Sequence, residues 1–451
     1  MNSPVPLINR SLLPDQQPSA QPLARTPGER VDLAQQTQGV LKQIPQAGLD
    51  SETVKSLTTL VHSGALSADQ LKSLGTLLSQ LDPSKRQEVV LPSGMTVSQA
   101  REMLKSLTEE ALNPCEINQG RHAGCSVMSG LFVLANQDKG RFFTMGVELA
   151  SKGRATLANG EVIQINKDSF EIPANLTENQ GRFKNLSMSE RVMMAALMDY
   201  GNGAAKYNFQ TDRTTGMTVN GQEIAGFSGL YQHQYLKVMS GLFGGGYQVE
   251  TDQQKAKAFL SQNDGKNAKG TLVDIKWSST GAHANHMVVF MGFDSDGRVL
   301  IHNPWGTDNA GAVEGPKSRK ILGSGMESLS AEDFFSRING IVVKDDTRPA
   351  LTADRDPSLD PETQIPQFQG VLVPERVNGF DYQKLSEGER KDVQREHPGR
   401  SQEPGGERIL APQAGGVEHT PNAAPEEQEN SRLAYLQRLS RYRRRDDEPT
   451  V

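Results

Sequence analysis

The sequence predicts an α+β fold with helices leading, a strand hairpin near residue 290, and polar arms at both ends. Three observations carry that expectation. Leucines recur at helical spacing between residues 54 and 112, two apolar β-branched runs flank a short Asp/Gly turn at 294–297, and the composition turns polar before residue 48 and after 345.

Residues 1–47 are rich in Pro, Gln and Ser with no sustained period, and are expected to form a disordered arm. Next comes a helical segment, 48–113. Val54, Leu57, Leu60 and Val61 form one block, and Leu71, Leu74, Leu77, Leu78 and Leu81 a second. Gly64 divides them, Ser67 is placed to cap the second, and Asp82-Pro83 ends it. A third helix runs from a Thr96 cap through Met103, Leu104, Leu107 and Leu112 to Asn113-Pro114.

Cys125 then leads an apolar run in which Val127, Met128, Leu131, Phe132 and Leu134 share a broad face ending near Asn136. A thiol at a helix N-terminus meets unpaired amides and the positive end of the dipole, which favour the thiolate. Between Gly140 and Tyr247 the pattern gives short strand-like pieces, a helix over Ser189–Tyr200 and another over Leu230–Leu242 that stops at Gly244-Gly-Gly246. A polar helix and loop precede the strand Thr271–Trp277. Ser330-Ala-Glu-Asp333 has a capping-box pattern opening a short helix, and Gly340–Lys344 is a last strand.

The hairpin holds the chemistry. Its turn, Asp294-Ser-Asp-Gly297, lies midway between His286 and Asn303, so a regular hairpin sets the two opposite each other or nearly so. A side-chain amide beside an imidazole can hold one tautomer and orientation, which is what a general base requires. The turn lacks the later ligands of a calcium loop.

Bulk properties exclude several classes. With 451 residues there is room for two or three domains, but 35% hydrophobic content and a mean hydropathy of −0.54 point to unstructured length. A net charge of −6 argues against a general nucleic-acid binder. No apolar run reaches the roughly 18 residues of a membrane span, and the N-terminus lacks a basic region followed by an apolar core. Two cysteines, Cys115 and Cys125, suit a reducing compartment. The tail, 346–451, reads as disordered; its segment 431–445, with Leu433, Leu436 and Leu439 beside several arginines, reads on composition as a solvated charge run, the alternative being a short basic helix.

Gln119-Gly120, Cys125, His286 and Asn303-Pro-Trp-Gly306 follow one another along the chain. That order resembles the papain-like cysteine peptidases, and the Gln-Gly and Asn-Pro-Trp-Gly pieces are closest to their calpain branch. The hairpin is also similar to the bacterial peptidases that trim double-glycine leaders, which carry Asp-Pro at the last position. Ser330-Ala-Glu-Asp-Phe-Phe matches the acidic-aromatic segment that follows the calpain Asn-Pro-Trp-Gly. The likeness spans about 114–345 in three short islands.

The resemblance implies a helical lobe led by the Cys helix packed on a β lobe carrying His and Asn. It also implies cleavage of a protein substrate by a Cys125–His286–Asn303 triad, with Gln119 as oxyanion donor and no cofactor or metal. A thiol with pKa about 8.5 is only a few per cent ionised at neutral pH, so it needs the helix end and an imidazolium. Trp305 would shield the Asn–His contact, and Gly124 would let backbone approach the nucleophile. The same constellation serves acyl transfer, deamidation and cross-linking, and a catalytically silent cleft would bind proteins instead. Two positions depart from the pattern: Ser126 stands where relatives have Trp, and Asn285 where Gly or Asp is common. Cys115 is the rival nucleophile and His283 the rival base. A zinc site of both cysteines and both histidines lacks the usual cysteine spacing.

The expected setting is cytoplasmic, or a host cell entered without a Sec signal, with partner contacts through 48–113 or 431–445. If 48–113 blocks the cleft, truncation before Asn113 raises activity.

Overall fold

The structure is a computed structural model. It describes residues 26–84, 90–120, 122–171, 186–203, 206–215, 217–219, 222–224, 229–277, 285–306 and 315–347, with 376–377 and 380–381. All belong to the unit Met1–Glu387; the second unit, Gly388–Val451, and with it the basic segment 431–445, lies outside the described residues.

The fold is mixed α and β. Six helices open it: α1 Pro27–Gln43, α2 Ser51–His62, α3 Ala68–Leu81, α4 Val97–Leu112, α5 Cys125–Gln137 and α6 Lys139–Lys152. Small hairpins follow, β1 Arg154–Thr156 with β2 Val162–Gln164, β3 Lys206–Asn208 with β4 Arg213–Thr215, and β5 Met217–Val219 with β6 Gln222–Ile224. Helix α7, Met188–Asn202, separates the first two, and α8 Gln232–Phe243 follows the third. The remainder is β7 Gly246–Glu250, α9 Gln253–Ser261, β8 Thr271–Lys276, β9 Asn285–Phe293, β10 Val299–His302, β11 Lys320–Gly323, β12 Met326–Leu329, α10 Ala331–Ser336 and β13 Ile338–Asp345.

Seven of these strands form one antiparallel sheet in the order β11-β12-β10-β9-β8-β13-β7. The period-two alternation of side chains divides its residues between two cores. Leu272, Met287, Val289 and Met291 join the helices, whereas Val273, Ile275, Val288, Phe290, Val299 and Ile301 face a smaller core with Phe334 of α10 and Leu260 of α9. Strand β9 is buried on both faces, which explains its nearly unbroken apolar run.

The leucine blocks become α2 and α3, and the Ser67 and Thr96 caps each form a full capping box. These helices are not a separate module. Leu57, Leu74 and Leu107 belong to the same buried cluster as Leu131 of α5 and Val289 of β9. A methyl group added at Gly146 in α6 would stand 2.6 Å from Leu107, so the two helices touch through a missing side chain.

Four expectations change. The disordered arm does not extend to residue 47: α1 is capped by Thr26 and Glu29, and Val40, Ile44 and Ala47 are buried. Its few apolar residues fall one turn apart at the C-terminal end, too few to show as a period. Helix α6 occupies a stretch expected to hold strand pieces; its mixed polar surface hid Phe142, Phe143, Val147 and Leu149, all buried. The capping box at Ser330 is half formed: Ser330 accepts from the Asp333 amide, but the Asp333 carboxylate turns to Arg337 and Ser318. Strands β11 and β12 were not foreseen. Their turn, Ser324-Gly325, holds both residues at positive φ, a conformation that glycine accepts at little cost and serine rarely adopts.

No helix among the described residues is long and apolar enough to cross a membrane.

Candidate active site

Helix α5 begins at Cys125 with Gly124 as N-cap and no side chain capping it, so its first-turn amides are not taken up by a cap. Cys125 is half-buried. Gly124 has an ordinary negative φ, and its missing side chain makes room for Met194, whose Sδ would lie 2.3 Å from an added Cβ. The glycine therefore serves packing against α7 rather than the approach of another backbone.

Cys125, Ser129 and Phe132 form one stripe of α5. Ser129 Oγ donates to the Met287 carbonyl at 3.3 Å, and Phe132 stacks on His302 with centroids 3.7 Å apart. These contacts run α5 along β9 and β10, with its N-terminus pointing toward the start of β9. Four residues of helix advance about 6 Å, roughly two residues of strand. Extending the stripe from Ser129 back to Cys125 therefore brings the thiol level with Asn285 and His286.

His286 and Asn303 meet: His286 Nε2 lies 2.8 Å from Asn303 Oδ1. The register differs from a regular hairpin. Phe293 pairs with Val299 and Gly292 with Leu300, but Phe290 then pairs with Ile301, so Met291 is a bulge residue. The bulge shifts the pairing by one, and the position opposite His286 becomes Trp305. The Trp305 indole indeed stacks on the imidazole, 3.8 Å between centroids and 17° apart in plane. Trp277 meets the same ring edge-on at 5.4 Å, so both tryptophans of the chain enclose His286.

The partners of Asn303 decide its amide orientation and, through it, the histidine tautomer. Trp305 N–H donates to Asn303 Oδ1 at 3.1 Å, and Asn303 Nδ2 donates to Glu327 Oε1 at 2.9 Å. With an N–H on one side and a carboxylate on the other, only this orientation satisfies both. Oδ1 therefore faces His286, and Nε2 is the protonated nitrogen. Nδ1 is then the unprotonated nitrogen. Glu327 is in turn held by Arg319, with contacts of 2.5 and 2.6 Å to its two oxygens, and the Arg319 guanidinium lies 4.9 Å over the Trp277 ring. Asn303 and Glu327 are fully buried.

The loop before Cys125 is pinned from several sides. Gln119 N–H donates to the Pro304 carbonyl at 2.6 Å, tying the loop to the Asn-Pro-Trp-Gly turn. Gln119 Nε2 donates to the His122 carbonyl at 2.5 Å; Oε1 has no hydrogen-bond partner, an unsatisfied buried group of the kind functional sites retain. The amide has a second N–H to offer. Asn118 donates from both its backbone and side-chain nitrogens to Glu190 Oε1, at 2.8 and 2.7 Å, and the Ala123 amide donates to Asp212 Oδ2 at 3.0 Å. Burial pushes both carboxyls up to about 7, against the pull of the amides that bind them and, at Asp212, of the Tyr207 hydroxyl, which donates to Oδ1 at 2.8 Å.

Of the four residues expected from sequence, His286 and Asn303 are in contact, and Gln119 is joined through its backbone to the turn that holds Asn303. Cys125 heads the helix running to them. Cys115 lies buried in the 3-10 turn Pro114–Glu116, and burial pushes its thiol up to about 11, the opposite of what a nucleophile needs. His283 falls outside the described residues. Sequence reasoning missed Glu327, Arg319, Trp277, Glu190 and Asp212. Only the Ser324-Gly325 turn signal could have found β12 and with it Glu327; the carboxylates under the loop leave no local signature.

No protein-family model matches the chain, and no curated protein compared with it is significantly similar. Among the described residues no group of His, Cys, Asp and Glu is placed to hold a metal ion.

Proposed function

We propose that the protein is a thiol-dependent peptidase of papain-like fold. The observation that carries this reading is the His286–Asn303 pair, its tautomer set by Glu327 and its ring enclosed by Trp305 and Trp277, at the sheet end toward which the Cys125 helix points. Nothing in a merely structural histidine calls for an oriented amide, a buried carboxylate behind it and two indoles around it.

In the proposed reaction His286 Nδ1 takes the thiol proton, giving a thiolate and an imidazolium. The thiolate adds to the substrate carbonyl carbon, and the oxygen becomes an oxyanion held by the second N–H of Gln119 and the backbone N–H of Cys125. The imidazolium gives its proton to the amide nitrogen as the C–N bond breaks, releasing the amine and leaving a thioester. Water then adds to the thioester while Nδ1 takes its proton. The C–S bond breaks, the acid departs, and the thiolate–imidazolium pair is restored.

A vinyl-sulfone or epoxide probe tests the reading. Wild type and Cys115→Ala should label, and Cys125→Ala should not. Mass spectrometry of treated cell lysate then separates new protein termini from deamidation or cross-links. Absence of labelling in wild type would transfer the cleft to a protein-binding role; deamidated or cross-linked products without new termini would keep the nucleophile and change the acceptor.

A further inference from the structure

The sheet face that α5 covers carries a half-buried carboxylate. Asp274 of β8 pairs in register with Met287, and Lys276 with Asn285. By alternation Asp274, Asn285 and Met287 stand on the sheet face that carries Leu272 and Val289, the face covered by the helices. Asp274 is thus on the side of the sheet where α5 brings Cys125, one strand away from the residue that follows His286. Among the described residues its one hydrogen-bond partner is Asn339 Nδ2, at a long 3.3 Å, and the same amide reaches Asn285 Oδ1 at 3.2 Å. No Lys, Arg or His among the described residues pairs with it. Asn285 and Asn339 are exposed, so the three form a polar ledge open to solvent at the end of an otherwise apolar face.

Tyr235 lies in the first turn of α8. Its phenol is pushed up first by burial and then by the charges of Asp274 and Cys125, so both groups lie within electrostatic reach of one ring. Burial likewise pushes the Asp274 carboxyl up to about 6, opposed only by the Asn339 amide. A carboxylate kept half-buried without a counter-charge costs stability unless something supplies the charge. Two carboxylates elsewhere in the sheet lobe are paired, Glu327 with Arg319 and Asp333 with Arg337. Asp274 has no such partner among the described residues and stands on the sheet face that α5, led by Cys125, covers.

We propose that Asp274 selects the substrate, receiving a lysine or arginine side chain close to the scissile bond, with the Asn285 and Asn339 amides bordering it. The proposal rests on the peptidase reading and gives it a substrate class: protein segments with a basic residue near the cleaved bond.

The test uses the full-length chain and internally quenched peptides in which Arg, Gln or Glu is exchanged at each position around the cleaved bond. At one position wild type should prefer Arg to Gln by about 10- to 100-fold in kcat/KM, the range of a charge-assisted contact. Asp274→Asn, close in shape, should bring that ratio near one, Asp274→Glu should keep a preference for Arg, and Asp274→Lys should reverse it toward Glu. The same peptides are then bound to Cys125→Ala, with Kd read by fluorescence anisotropy. If wild type cleaves nothing, the peptidase reading fails, yet anisotropy still reads the Arg-to-Gln ratio in Cys125→Ala and in Cys125→Ala/Asp274→Asn. Absence of an Arg preference, or a preference that survives Asp274→Asn, overturns the assignment.

Discussion

Glu327 offers the sharpest test of how the site is held. It accepts from Asn303 Nδ2 at 2.9 Å and is bound by Arg319 through both oxygens, in a place where Glu327 is 1% and Arg319 9% exposed. Removing Glu327 alone leaves a buried guanidinium without its anion, a loss of about 3–5 kcal/mol, whereas replacing both partners by apolar groups of similar size is often neutral. Stability and orientation can therefore be separated. Glu327→Leu should unfold at a much lower urea midpoint. Glu327→Leu with Arg319→Met should recover most of that stability, yet leave Asn303 Nδ2 without an acceptor and free its amide to turn. Misplacing a reacting group by about 1 Å can lower activity on the order of 100-fold. Glu327→Gln with Arg319→Met keeps an acceptor oxygen and should retain most activity. The assays are urea unfolding followed by circular dichroism, and peptide cleavage followed by fluorescence. A Glu327→Leu/Arg319→Met protein that is stable and cleaves at the wild-type rate would refute the orienting role.

Three further outcomes follow from the same geometry. Gln119→Ala should lower kcat about 100- to 1000-fold by removing an oxyanion donor. Alkylation of Cys125 by iodoacetamide forms no oxyanion and should change little. Asp212, half-buried and raised to about 7 in the folded state, stands above its ordinary value near 3.9, so folding favours its protonated form. Its contribution is present below about pH 4 and lost as pH rises to about 7, on the order of 4 kcal/mol in all. Asp212→Asn can still accept from Ala123, and its stability relative to wild type should rise over that interval when urea midpoints are compared. Deletion of residues 1–112 should abolish the cooperative unfolding transition rather than raise activity, because Leu57, Leu74 and Leu107 lie in the common core and Glu110 accepts from Ser187 and Ser189 of α7 and its cap. A soluble, more active truncated chain would show that the helices are a removable cover.

Several elements were legible in the residues alone, and for one reason: their determinants are local. The capping boxes at Ser67 and Thr96, the leucine spacing of α2 and α3, the Asp294–Gly297 turn and a cysteine heading an apolar helix depend on neighbours a few positions apart. The order Gln119, Cys125, His286, Asn303 was legible for the same reason, since each sits in a short recognisable piece. Helix α6 was not, because its apolar residues are interleaved with polar ones and only its burial between α3, α4 and α5 shows which side is which.

By itself, then, the sequence determined the local elements and nominated four side chains. Tertiary structure decided everything that depends on distance between separated segments. It moved the hairpin pairing by one residue at Met291, so that Trp305 rather than Gly306 stands opposite His286. It brought Glu327 under Asn303 and thereby chose the amide orientation and the histidine tautomer. It also separated the two cysteines: both lie near one helix start in sequence, but burial raises the Cys115 thiol while Cys125 stays half-open at a helix end. The physical reason is common to all three. Burial and hydrogen-bond partnership are properties of a folded environment, and residues 24 positions apart, such as Asn303 and Glu327, carry no local mark that they will meet.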